Sequence, residues 1–207
     1  VTEHPAKILG LEGYGLAVQA YQKRAGDVIE RVKDLAAQTG HRFMVRLVKG
    51  AYWDSEIKHA HIEGYANFPV FTTKAGTDFH FLACARKMLE AKDAIYPQFA
   101  THNAHSVAAI EMLSEEIGNS AFEFQRLHGM GEALYGAAGL GRRVRVYAPV
   151  GAHKDLLPYL VRRLLENGAN TSFVHSFLDP DVPPEQVVAD PIVKVEVGPR
   201  RHPRIPT

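Results

Sequence analysis

The sequence predicts an α/β protein built on a parallel sheet, and three observations lead there. Short runs rich in β-branched and aromatic residues recur along the chain. Longer stretches of helical periodicity separate them, and glycine closes two of these where a helix would stop. The strand-like runs are "GLAVQAY" (15–21), "RFMVRLVKG" (42–50), "IYPQFATHN" (95–103), "FEFQRL" (122–127) and "RVRVYAPVG" (143–151). Between them "KRAGDVIERVKDLAAQTG" (23–40) and "HSVAAIEMLSEEIG" (105–118) read as helices, with "DFHFLACARKMLEA" (78–91) a third. Such alternation implies a parallel sheet, either open and doubly wound or closed as a barrel. "NTSFV" (170–174) is a candidate sixth strand. An eight-stranded barrel needs about 250 residues, so the sheet is either small and open or part of a larger barrel. Residues 179–207 are proline-rich without helical periodicity and read as a tail or linker after a domain at 1–178.

Composition narrows the function classes. At 207 residues and 46% hydrophobic content the chain is long enough for one sizeable core. A net charge of +1 and the lack of a long basic run give nucleic-acid binding no electrostatic support. Cys84 is the sole cysteine, which excludes an internal disulfide and suits a reducing compartment. Neither a membrane span nor a signal-peptide layout is legible, so a cytoplasmic location is expected. Eleven histidines raise the question of metal. His59 and His61 fall on different helix faces, His102 and His105 begin in a strand-like stretch, and no HExxH or CxxC accompanies them. No metal site is expected.

Strand alternation selects candidate site residues. In "FMVRLVK", Phe43, Val45 and Leu47 share one face and Met44, Arg46 and Val48 the other, so Arg46 has apolar neighbours on its own face. It either pairs with an acid or lines a site. "KGAYWD" follows, where Gly50 and Ala51 permit close approach of backbone to a ligand. Lys49 adds a cation there, and Tyr52 and Trp53 add flat surfaces. Thr101, His102 and Asn103 end another strand and Tyr147 a third. Polar groups gathered at strand carboxyl ends are where parallel α/β proteins build sites. No P-loop is present, and "GMGEAL" and "GYGLAV" only partly match a dinucleotide fingerprint.

"DLLPYLVRRLLENGAN" (155–170) reads as a two-faced helix. Tyr159, Arg162, Arg163 and Glu166 form a polar stripe at i, i+3, i+4 and i+7; Leu157, Leu160, Val161, Leu164 and Leu165 occupy the opposite arc, expected to face the protein. Asp155 is the expected N-cap, Pro158 falls in the first turn, and Asn167-Gly168 stops the helix. The stripe is either a solvated face with Arg–Glu pairing, which spacing alone favours, or a grip for a planar carboxylate.

Five blocks, "VQAYQKR", "RLVKGAYWDSEIK", "YPQFATHNAHS", "EFQRLHGMGEALY" and "VYAPVGAHKDLLPYLVRRLLENGANTSFV", together resemble the proline dehydrogenase domain of bifunctional bacterial proline utilisation proteins. The resemblance implies a (βα)8 TIM-type barrel, with this chain supplying the later strands and helices. It also implies FAD bound at the strand carboxyl ends and oxidation of L-proline to Δ1-pyrroline-5-carboxylate, with electrons passing to a membrane quinone. By position, Arg162 and Arg163 match the pair that holds the proline carboxylate, and carboxylate analogues of proline are expected to bind there too. Glu166 matches the acid that orients one of the two, while Tyr147, Tyr159, Tyr52 and Leu127 match residues around the proline ring. Gln19 and Arg46 match positions beside the reactive edge of the flavin. Lys49, Gly50, Ala51 and Trp53 match its ribityl and phosphate side, Thr72, Thr73 and Lys74 its adenosine side, and Thr101, His102, Asn103 and Gln125 further FAD contacts. Arg46 and Tyr147 are thereby the expected catalytic residues. "VVADPI" is similar to the lead toward an aldehyde dehydrogenase domain. The family's earlier strands have no counterpart here, so a complementary N-terminal part of the barrel, from a second chain or otherwise, is an expected partner. A peripheral position at the inner face of the membrane accords with the quinone. Two other readings stand beside this one: a metal-dependent barrel hydrolase using His102, His105 and His128, and a catalytically silent fragment that needs a complementary chain.

Overall fold

The structure is a computed structural model that describes residues 13–137, 139, 141–168, 181–203 and 205, without the side chains of Ala137, Leu164, Glu166, Asn167, Gly168, Pro184 and Val187. Five strands, β1 (Gly15–Gln19), β2 (Phe43–Val48), β3 (Ile95–Ala100), β4 (Glu123–Leu127) and β5 (Val144–Tyr147), make one sheet. Every pairing is parallel, and the spatial order equals the chain order. A doubly wound sheet reverses direction at a switch point; this one never does, which is the strand order of a barrel.

Register divides the sheet into two chemically different faces. Val18, Leu47, Phe99, Phe124 and Val144 stand side by side across the strands. Together with Phe43, Val45 and Ile95 they form the outer face of a core closed by helices. Helix α1 (Ala25–Thr39) contributes Ile29, Val32 and Ala36, and α3 (Lys74–Glu90) contributes Phe81, Cys84 and Met88. Helix α4 (Ala104–Ile117) adds Val107 and Ile110. Each large side chain so buried is worth about 1.5–3 kcal/mol. The inner face instead carries Arg46, Gln98, Glu123, Gln125, Arg145 and Tyr147, set side by side by the same register. Among the described residues, β1 and β5 each have a strand neighbour on one side only.

Several local expectations are corrected. The strands are shorter at their carboxyl ends than the apolar runs, because the chain turns out of the sheet at Ala20, Lys49 and Thr101. Helices α2 (Trp53–Ile62) and α5 (Glu132–Ala137) were not anticipated. Helix α3 begins four residues before the expected start, because the Thr73 side chain caps it by accepting the Gly76 N–H at 3.2 Å. Helix α6 (His153–Gly168) begins before Asp155, which sits in the first turn rather than at the cap. Pro158 therefore lies inside the helix, where it has no N–H to offer the carbonyl of Lys154. Nor do the described residues of the apolar arc of α6 face the protein: Leu157, Leu160, Val161 and Leu165 are exposed, and the Leu164 side chain lies outside the described residues. The proline-rich stretch carries two short helices, α7 (Pro184–Val187) and α8 (Pro191–Val197), the second opened by an Asp190 cap and a proline at its first position. It packs against α3, and Ile205 enters a second apolar cluster with Tyr21, Ile57, Phe68 and Val70. The candidate strand at 170–174 lies outside the described residues.

Candidate active site

A cleft of about 570 Å³ crosses the carboxyl ends of all five strands. The strand ends give it Gln19, Val48, Ala100, Leu127 and Tyr147; the loops behind them give Lys49 to Tyr52 and Thr101 to Asn103. Lys74, Tyr159 and Arg163 complete the lining.

Arg46 anchors the floor. Its Nε donates to Gln125 Oε1 at 2.9 Å and its Nη2 to the Tyr147 hydroxyl at 2.7 Å, with the guanidinium 4.7 Å from the Tyr147 ring centre. These partners are an amide and a phenol, so neither cancels its charge. Gln125 sits beneath Arg46, not in the cleft wall, and donates its own amide to Glu123 at 3.0 Å. Glu123 is fully buried and also accepts from Gln98 and, through both oxygens, from Arg145. Burial works to raise its carboxyl, but the Arg145 pairing and the amide donors outweigh it and hold the group below the usual range.

Lys49 and Lys74 share one carboxylate, that of Asp78. Burial pulls the Lys49 ammonium below the ordinary lysine range, with Asp78 opposing and Lys74 adding to the shift. Two ammoniums against one carboxylate leave a net positive charge beside the amino end of α3, where the helix dipole adds to it. Gly50 follows at φ 131°, and a Cβ there would stand 2.6 Å from the Tyr21 ring. Only glycine fits that approach.

His102 is held neutral. Burial, then the charges of Arg163, Arg126 and Arg46, push its pKa down. Its Nε2 accepts the backbone N–H of Leu127 at 3.2 Å, which places the ring proton on Nδ1. Gly131, at φ 70°, backs the ring: a Cβ there would lie 3.0 Å from His102 Cδ2. Thr101 Oγ1 accepts the Asn103 N–H, and the Asn103 side chain caps α4.

The polar stripe of α6 turns toward the cleft and its aromatic walls. Tyr159 and Arg163 line the cleft, with the Arg163 guanidinium 5.1 Å from the Tyr159 ring centre. The Arg162 guanidinium lies 4.8 Å from the ring centre of Tyr52, which also lines the cleft. Arg162 Nε is buried with no hydrogen-bond partner among the described residues. Glu166 lies in this helix, but its side chain is outside the described residues.

Other expected residues are not brought into the cleft. Trp53 turns away, its Nε1 donating to the Phe71 carbonyl at 2.8 Å and its ring edge-on to His202. Thr72 and Thr73 line a separate cleft of about 410 Å³ with Lys23, Arg200 and Arg201. Reading the sequence missed Asp78, Gly131, Glu123 and Arg145. Asp78 had a signal, standing four residues after Lys74 on one helix face; Glu123 shares its strand face with Gln125. Among the described residues no group of three metal-ligating side chains stands together, and His102 Nε2 is already engaged, so nothing in the geometry favours the hydrolase reading.

A parallel sheet in barrel order, with a cationic, aromatic-walled cleft across its strand ends, defines a barrel-type α/β protein with a site suited to an anionic ligand. Comparison with known proteins narrows the class. The family model described as proline dehydrogenase matches residues 3–176, and the chain belongs to that family. It is 51% identical to the bifunctional protein PutA of Klebsiella aerogenes, covering 97% of this chain and 16% of that protein. It is 36% identical to proline dehydrogenase 1 of Bacillus subtilis (strain 168), covering 79% of this chain and 48% of that protein. A crystal structure of a mutant of proline utilization A (PutA) from Bradyrhizobium japonicum matches at a TM-score of 0.89 and 53% identity, over 98% of this chain and 21% of that one. The chain thus spans less than half the length of each of these relatives.

Proposed function

We propose that the cleft is the site of an FAD-dependent proline dehydrogenase that oxidises L-proline to Δ1-pyrroline-5-carboxylate and passes the electrons to a membrane quinone. The observation that carries this reading is the pair of arginines on α6, each guanidinium set against a tyrosine ring and one with a buried N–H that has no acceptor among the described residues, beside a cleft walled by Tyr52 and Tyr159. A buried donor without a protein acceptor is suited to a ligand acceptor, and a carboxylate matches the fork geometry of a guanidinium.

The residues also fit FAD. The shared Lys49–Asp78–Lys74 group supplies net positive charge for a pyrophosphate, and Gly50 lets the loop pass close to a bound group. Arg46 offers a cation whose charge its partners do not cancel. When bound, FAD supplies the acceptor for a hydride from the carbon beside the proline nitrogen. The chain's own residues do the rest. Arg162 and Arg163 fix the carboxylate, Tyr52 and Tyr159 flank the ring, and His102 stays neutral with its proton on Nδ1. Holding the ring in one orientation removes much of the entropic cost of the transfer. Further strands, from a complementary part of the barrel, would cover the sides of β1 and β5 that have no strand neighbour among the described residues. No described helix is long and apolar enough to cross a membrane.

The test is the visible spectrum of the purified intact protein. A flavin band that L-proline bleaches without oxygen, with the imine product trapped in equal amount, is the expected result. Absence of flavin, or a band indifferent to L-proline, would contradict the proposal.

A further inference from the structure

We propose that Glu123, a residue outside the cleft, is a positioning residue that fixes the direction of the Gln125 amide and through it the placement of Arg46; the inference rests on the flavin reading above. The geometry is a directed chain. An ionised carboxylate only accepts hydrogen bonds, so Glu123 Oε1 draws the amino group of Gln125 toward itself at 3.0 Å. That leaves Gln125 Oε1 pointing the other way, where it accepts Arg46 Nε at 2.9 Å. Turning the amide over would set donor against donor at Arg46 and acceptor against acceptor at Glu123. Only one orientation therefore satisfies both ends.

Glu123 is itself locked. It is closed to solvent, accepts Gln98 at 2.8 Å, and takes Arg145 Nε and Nη2 at 2.6 and 2.9 Å. Arg145 comes from β5, the strand that also carries Tyr147, the second partner of Arg46 at 2.7 Å. The carboxylate thus ties β3, β4 and β5 together directly beneath the cation of the cleft. Glutamine at position 123 keeps the shape but has both a donor and an acceptor, so the amide at 125 is no longer told which way to face.

A double-mutant cycle on the flavin-loaded intact protein tests this, read by the flavin midpoint potential and by the dissociation constant of tetrahydrofuran-2-carboxylate, a ring carboxylate without the amine. Glu123→Gln is expected to lower the potential by the equivalent of about a tenfold loss of preference for reduced flavin, roughly 30 mV for a two-electron couple. Gln125→Met is expected to do the same, and the double variant no more than the larger single. Removing a negative charge with no change in Arg46 would instead raise the potential. A raised or unchanged potential in Glu123→Gln, or additive effects in the double variant, overturns the proposal. Should Glu123→Gln fail to load flavin, Arg145→Met, at a side chain that is half-exposed, replaces it in the same cycle: non-additivity with Gln125→Met supports the chain of contacts and additivity overturns it. A wild type without flavin sinks the functional reading itself, which separates the two failures.

Discussion

His102 accepts the Leu127 N–H through Nε2, so protonating that nitrogen breaks the bond and sets a new cation among Arg46, Arg126 and Arg163. Its pKa is depressed in the folded protein and ordinary, about 6.5, in the unfolded chain. Below that value the unfolded state binds more protons, so stability is lost as the pH falls through the folded pKa. Urea unfolding at a series of pH values is expected to show a shallower acid loss in His102→Asn than in the wild type; equal slopes would remove His102 from the account. That Arg46 stands on the strand face opposite Phe43, Val45 and Leu47 was legible from alternation in "FMVRLVK". Its partners were not, because they depend on how β4 and β5 align beside it, and register is set by tertiary packing. The same reason hid Arg145 from Glu123, although Glu123 and Gln125 visibly share a face.

Helix starts and strand ends decide where the cleft residues stand. Thr73 was expected against a cofactor, yet its hydroxyl caps α3 and so places Lys74 and Asp78 in the first turns. Thr73→Ala is expected to cost about 1 kcal/mol in urea unfolding while Thr73→Ser costs little; no loss in the alanine variant would contradict the capping role. Gly76, a poor helix former, disguised that first turn in the sequence. Helices α1 and α4 were legible because both end in glycines at positive φ, 70° at Gly40 and 69° at Gly118. Helix α5 has six residues with a glycine among them, too short for periodicity to register. In α6 the two faces were legible as patterns, but periodicity separates faces without saying which one meets water. Spacing favoured a solvated stripe and only the resemblance turned it toward the site, where Tyr159 and Arg163 stand, while the leucines expected against the protein are exposed.

At the scale of the whole molecule, strands in chain order bring five distant segments to one rim. The stretch read as a tail in fact closes a cluster around the loop behind β2. Ile205, Tyr21, Ile57, Phe68 and Val70 pack together with Trp53, the chain's only tryptophan, against them. Proline frequency hid this, since composition marks a segment as irregular without saying whether it docks. Ile205→Ala is expected to lower stability by on the order of 2 kcal/mol and to shift Trp53 emission to the red; unchanged emission would mean that the contact is absent in solution. The central claim is that the arginines of α6 grip a carboxylate in the cleft. Its most direct test compares half-saturating concentrations of L-proline and of pyrrolidine, the same ring without the carboxylate, for anaerobic flavin reduction. Lost charge-assisted hydrogen bonds of about 1.5–3 kcal/mol each predict that the wild type favours L-proline by at least about tenfold, and that Arg162→Met and Arg163→Met erase most of that preference while flavin stays bound. Variants that bind flavin and keep the full preference for L-proline would contradict the claim.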